Sequence, residues 1–142
     1  MICCDASLLV AQVASERFSA EAGDWFDRHS PGGLAWSGWA DVEVASALAR
    51  KQRSRLIDSA GRASAESRWR RLAASMTFVG RRPEDFRVAA ALVDAGARGL
   101  RAGDALNLAI AINAGLSLAT LDRDLADAAE ASGVEVALRP PA

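Results

Sequence analysis

The sequence predicts an α/β domain in which a parallel sheet is covered by helices on both faces. Short, nearly all-apolar runs alternate with longer helical stretches, as strands buried on two sides require. No repeat, low-complexity tract or linker interrupts the alternation, and 142 residues suit one domain, 1–142, with a hydrophobic core of its own.

The elements follow in chain order. Ile2 to Cys4 reads as a strand, and the adjacent Cys3 and Cys4 read as small core residues rather than a redox pair. Helical patterns run from Leu8 to Ala14 and from Arg17 to Arg28; His29, in the polar stretch that follows, reads as a loop residue. A strand at Leu34 to Trp36 leads to helices at Trp39 to Lys51 and Ile57 to Ala74. Next come a strand at Met76 to Val79 and a helix at Glu84 to Ala97. The helix Asp104 to Ala114 is apolar on every side through Ile112 and belongs in the middle of the domain. A strand at Leu116 to Leu121, a helix at Asp124 to Ala131 and a strand at Val134 to Leu138 complete the chain. Gly115 and Gly133 each stand between a helix and a strand, where a capping glycine belongs. The four tryptophans read as core or interface anchors.

Net charge is −1, which by itself points to no nucleic-acid partner, but the charges are unevenly placed. From Arg50 to Arg82 ten basic residues face two acids, Asp58 and Glu66, so that segment carries +8 and the remainder −9. A solvated basic face and a phosphate-binding face both fit this asymmetry; Arg50, Arg53, Arg55, Arg68, Arg70 and Arg71 are the candidate contacts. No apolar stretch reaches twenty residues and no basic leader opens the chain, so a soluble, cytoplasmic protein without membrane association is expected.

In an open parallel sheet every strand's carboxyl end lies along one edge, where ligands bind. Asp5 ends the first strand and Asp122 ends the strand through Leu121. Glu43 lies early in the helix after the second strand, and Asp104 opens the buried helix. Each alone has a turn or capping explanation. Together they gather negative charge in a partly dry cleft, where repulsion must raise pKa values or recruit a cation. An all-oxygen set without imidazole or thiolate suits Mg²⁺, with Mn²⁺ as an alternative, and not zinc. Phosphodiester hydrolysis is the chemistry such a site supports. Asp5 and Asp104 are expected to coordinate the ion directly, with Glu43 and Asp122 completing the site or orienting water. The hydroxyls of Ser7 and Thr120 either steady these groups or serve local turns. Asp124 is a possible auxiliary acid, but reads first as the N-cap of the last helix. No Gly-rich phosphate loop, nucleophile elbow or paired-cysteine zinc spacing occurs.

Four segments in register resemble the PIN-domain nucleases, and within them the VapC-type toxins of bacterial toxin–antitoxin modules. They are Ile2-Cys3-Cys4-Asp5-Ala6-Ser7-Leu8-Leu9, Val42-Glu43-Val44-Ala45-Ser46-Ala47-Leu48, Gly103-Asp104-Ala105-Leu106-Asn107-Leu108-Ala109 and Ala119-Thr120-Leu121-Asp122. The resemblance implies a three-layer fold with sheet order 3-2-1-4-5, Mg²⁺- or Mn²⁺-dependent endoribonuclease activity on tRNA or another structured RNA, homodimerisation, and inhibition by a cognate antitoxin. It also implies that the helical pair from Trp39 to Ala74 grips the antitoxin, a second explanation of the basic segment. Asn107 departs from the histidine of many relatives, and one turn after Asp104 it is placed to hold water or substrate. An aspartyl phosphatase would want an aspartate at position 7, where Ser7 stands, and a phosphate-binding lysine, whereas Lys51 is the only lysine. A protein-binding homologue without catalysis would be expected to lose acids of the set, and a DNA-cleaving relative would use the same site.

Overall fold

The structure, a computed structural model, describes residues 1–96 and 99–142. The elements are β1 (Ile2–Cys4), α1 (Ala6–Val13), α2 (Ser19–Asp27), β2 (Leu34–Ser37), α3 (Gly38–Arg53), α4 (Ser59–Ser75), β3 (Thr77–Val79), α5 (Pro83–Asp94), α6 (Ala102–Ala114), β4 (Ser117–Ala119), α7 (Arg123–Ala131) and β5 (Val136–Leu138). All four strand pairings are parallel and the order is β3-β2-β1-β4-β5, as the resemblance implied.

Alternation along the strands assigns the two faces. Cys4, Leu34 and Ala119 point into a core shared with α1, α2, α3 and α4, whose Leu8, Leu9, Trp25, Val44, Leu48 and Trp69 are buried there. Cys3 and Leu118, each one residue out of phase, point into a second core with Leu106, Leu108 and Ile110 of α6 and Leu125 of α7. Full burial of a leucine such as Leu8, Leu48, Leu108 or Leu125 contributes about 1.5–3 kcal/mol each, so both layers are firmly held to the sheet. The edge strand β3 departs from the expected two-sided burial, since Thr77 and Phe78 are exposed.

Capping explains where the observed boundaries differ from the expected ones. Gly115 (φ 65°) and Gly133 (φ 77°) adopt left-handed backbone, and the amides of Leu116 and Val134 turn back to the carbonyls of Ala111 and Ala129. Leu116 and Val134 are thereby used in helix ends, and β4 and β5 begin later than expected. α6 begins at Ala102 behind Arg101, so Asp104 is its third residue and does not open it. The N-cap of α7 is Asp122, whose Oδ1 accepts from Leu125 N at 3.0 Å; Asp124 lies in the first turn and is not the cap. α5 ends at Asp94, and the expected end at Ala97 lies outside the described residues. Among the described residues no helix is long and apolar enough to cross a membrane.

Candidate active site

The strand order reverses direction between β1 and β4, and that switch point is where the carboxyl edge opens a crevice. Asp5 leaves the end of β1 as the N-cap of α1, and Asp122 follows β4 as the N-cap of α7. Glu43 comes from the second turn of α3 and Asp104 from the first turn of α6. All four line one cleft of about 350 Å³.

Asp5 is the centre of the polar network. Its Oδ2 accepts from Ser7 Oγ (2.6 Å), Ser7 N (3.1 Å) and Thr120 Oγ1 (3.0 Å). The same hydroxyls also accept, Ser7 Oγ from Leu121 N (2.9 Å) and Thr120 Oγ1 from Asp122 N (3.0 Å), which ties the ends of β1 and β4 together. Asn107, buried one turn after Asp104, donates through Nδ2 to Asp5 Oδ1 (2.9 Å) and to Glu43 Oε2 (2.7 Å). With a carboxylate at each contact, only the amide nitrogen can face them. Gly103 leaves the room: a Cβ there would lie 3.0 Å from Glu43 Oε1 and 3.3 Å from Trp39 Nε1. Among the described residues that buried indole N–H meets no partner in full hydrogen-bonding geometry, although Glu43 beside it is the acceptor it faces.

These acids are costly to ionise together. Burial raises the pKa of Asp5 against the opposing effect of its hydrogen bonds from Ser7 and Thr120. Glu43 is pushed up to about 7, first by burial and then by the charges of Asp5 and Asp104, while hydrogen bonding from Asn107 resists the rise. Asp104 is pushed up to about 6 by burial and by Asp5 and Asp122, with Arg101 resisting. A cation between them would remove this repulsion, and a set made only of carboxylate oxygens suits a hard divalent ion. Among the described residues, no three histidine, cysteine, aspartate or glutamate side chains converge closely enough to ligate one ion by themselves. The fit is therefore to an ion held by one or two carboxylates and otherwise by water or substrate oxygens, as Mg²⁺ commonly is.

The structure gathers Asp5, Ser7, Glu43, Asp104, Asn107, Thr120 and Asp122 around this cleft, and Asp124 is exposed beyond it on α7. The basic candidates disperse. Arg50 lines the cleft, Arg70 lines a groove between α3 and α4, and Arg53 and Arg55 are exposed near the turn joining those helices. Arg68 holds Val13 O through Nε (2.8 Å) and Nη2 (2.6 Å), and Arg71 bonds Ser67. Sequence reasoning missed Arg17 and Phe18 on the cleft wall, which lie between two helices and away from any strand end, and read Trp39, beside Glu43, only as a core or interface anchor.

A search of curated proteins finds no match. Among solved structures, PAE2754 from Pyrobaculum aerophilum is 26% identical, with a TM-score of 0.67 over 95% of this chain and 82% of that one. VapC20 from Mycobacterium tuberculosis is 18% identical, with a TM-score of 0.71 over 94% and 96%. FitAcB from Neisseria gonorrhoeae is 17% identical, with a TM-score of 0.70 over 96% of each chain. The sequence profile of the PIN domain matches residues 2–131, nearly the whole length in which β1, the four acids and α7 occur, and the chain belongs to the PIN-domain family.

Proposed function

We propose that this chain is a Mg²⁺- or Mn²⁺-dependent endoribonuclease, the toxin of a toxin–antitoxin pair, restrained by a cognate antitoxin. The observation that carries the reading is the cleft at the β1–β4 switch point, where Asp5, Glu43, Asp104 and Asp122 meet without a lysine or arginine bonded to any of their carboxylates among the described residues. When bound there, a divalent cation supplies Lewis-acid polarisation of the scissile phosphate and a more acidic attacking water.

The chain's own residues set up that chemistry. Ser7 and Thr120 occupy Asp5 Oδ2, so Oδ1 is the oxygen that faces Asn107 and the cleft. Asp122 accepts the Leu125 amide of α7 through Oδ1, and among the described residues no hydrogen bond engages its Oδ2. Glu43 and Asp104, whose pKa values are raised in the ion-free cleft, are the acids that a bound cation would return to the charged form near neutral pH.

Two likenesses support the substrate and the partner. VapC20 is described as a sarcin–ricin loop cleaving toxin, which favours structured RNA, and a toxin–antitoxin complex from Klebsiella pneumoniae has the same fold. Homodimerisation belongs to the same reading: exposed Phe78 on β3 lies against Gly38, with Val42 exposed one turn further along α3, apolar surface that a second copy would cover.

The test is cleavage of a structured RNA by the purified chain with Mg²⁺ or Mn²⁺, with chelator, and by Asp5→Asn. Activity is expected only for the wild type with the ion. An antitoxin arginine entering the cleft would pair with the carboxylates in place of the cation, so ion and inhibitor are expected to compete. Cleavage that survives chelator or Asp5→Asn would overturn the reading.

A further inference from the structure

The cleft is longer than the acids need. Helix α3 presents Glu43, Ala47 and Arg50 on one face at i, i+4 and i+7, all lining the cleft. Two turns separate Glu43 from Arg50, roughly 10 Å along the axis at 1.5 Å per residue. Arg50 therefore leaves the helix at a different point of the cleft from Glu43. Opposite it, the segment between α1 and α2 brings Arg17 and Phe18 to the same end, above an apolar floor that includes Val10 of α1.

This far wall is tied down. Lys51 pairs with Glu16 (3.0 Å) and donates to Ser15 O (2.9 Å), fastening the segment to α3 and neutralising the acid beside Arg17. Ser19 Oγ accepts from Glu16 N and donates to Ala11 O, closing the turn onto α1. The Arg17 guanidinium lies over the Phe18 ring, 4.9 Å from its centroid. A cation–π contact of this kind uses none of the guanidinium N–H groups as hydrogen-bond donors to oxygen, and those are the donors that match phosphate oxygens. Among the described residues neither Arg17 nor Arg50 forms an ion pair with a carboxylate. The cleft thus runs from an acidic end to a basic end.

We propose that the basic end is a subsite for a neighbouring phosphate of single-stranded RNA, with Arg17 and Arg50 as its ligands and Phe18 as the platform that orients Arg17. A cleft of about 350 Å³ is at the small end of ligand pockets, a size that suits a single nucleotide within it. The subsite deepens the ribonuclease reading and rests on it, and it accounts for how a chain of net charge −1 holds a polyanion beside four acids.

The test is binding of a fluorescent eight-nucleotide single-stranded RNA to the full chain in chelator, across a salt series. Arg17→Gln and Arg50→Gln are each expected to weaken binding about tenfold and to lower the slope of log affinity against log salt by roughly 0.7, the value for one phosphate contact on a single strand. Phe18→Leu is expected to weaken binding with the slope unchanged, because no charge is removed. Arg70→Gln, in the groove between α3 and α4, is expected to bind as the wild type does. Wild-type slopes in both cleft-arginine variants, or an equal loss in Arg70→Gln, would overturn the subsite. Because no cutting is required, a wild type that binds in this way yet never cleaves with Mg²⁺ or Mn²⁺ would instead overturn the ribonuclease reading and leave the arginine contacts in place.

Discussion

Asp5 and Glu43 share one donor, the Asn107 amide, and in the proposed ribonuclease that shared contact would orient both carboxylates. Asn107→Leu removes both hydrogen bonds without adding charge. Loss of a group that orients metal-binding carboxylates typically costs 10- to 100-fold, so RNA cleavage is expected to fall about that much while the fold survives. Asn107→His, which keeps a donor, is expected to recover part of the loss; cleavage rates and circular dichroism of the three proteins check this.

The raised pKa values of Glu43 and Asp104 have a stability consequence of definite sign. Both acids keep their protons to higher pH when folded than when unfolded, so between the ordinary carboxylate range and about 7 the native state binds more protons. Their contribution to stability is fully present below that window and declines as pH rises through about 6 for Asp104 and about 7 for Glu43. Melting temperatures from pH 4 to 8 are expected to fall more steeply for the ion-free wild type than for Glu43→Gln, and saturating Mg²⁺ is expected to remove the difference.

At the scale of the element, the beginning of α6 matters because it abuts α3. Gly103 lets the first turn of α6 approach Glu43 and Trp39, and Gly103→Ala would push a methyl group to 3.0 Å from Glu43 Oε1. The carboxylate, held by Asn107, has to yield a few tenths of an ångström. Gly103→Ala is expected to lower cleavage and ion affinity with little change in melting temperature, since alanine is the better helix former. Arg68 illustrates the opposite case. It bonds twice to Val13 O at the end of α1, the helix whose first turn carries Ser7, so Arg68→Ala is expected to cost stability, about 1–2 kcal/mol, and to leave the salt dependence of RNA binding unchanged. Chemical denaturation and the same salt series separate the two effects.

For the whole molecule, cation binding and folding are linked. An ion that binds only the native cleft stabilises it by roughly 2.7 kcal/mol at a hundredfold excess over its dissociation constant. For a chain of 142 residues that corresponds to a rise of several degrees in melting temperature. Mg²⁺ or Mn²⁺ titrated into the free chain is expected to show this rise, and Asp5→Asn to lose most of it. A melting point indifferent to divalent ions would mean that the acids relieve their repulsion in another way. The same architecture predicts inert thiols: Cys3, pushed up to about 12, and Cys4, pushed higher still, are buried between sheet and helices beside Asp5, and neither is expected to react with iodoacetamide until the protein unfolds.

The sequence by itself determined the layered α/β class, the place of each strand to within a few residues, and the four acids as candidates. Those features are local: runs such as Ile2-Cys3-Cys4 and Leu118-Ala119 carry their strand character in composition, and an acid at or just beyond the end of such a run, as Asp5 and Asp122 are, lies on the sheet's carboxyl edge. Only the tertiary structure decided which atoms of those acids remain free. Ser7 saturates one oxygen of Asp5 from two residues away and Thr120 from 115 residues away, and Asn107 joins Asp5 to Glu43 from 102 and 64 residues along the chain. Tertiary structure also divided the basic segment, whose residues look alike in the sequence. Arg50 was turned into the cleft by the periodicity of α3 and Arg68 onto the end of α1, while Arg17, outside the segment altogether, was brought to the cleft by the fastening of its turn to Lys51. The physical reason is that a cleft is formed by the packing of α1 against α3, and hydrogen bonds and charge pairs between residues far apart in the chain are set by that packing and leave no local periodicity to read.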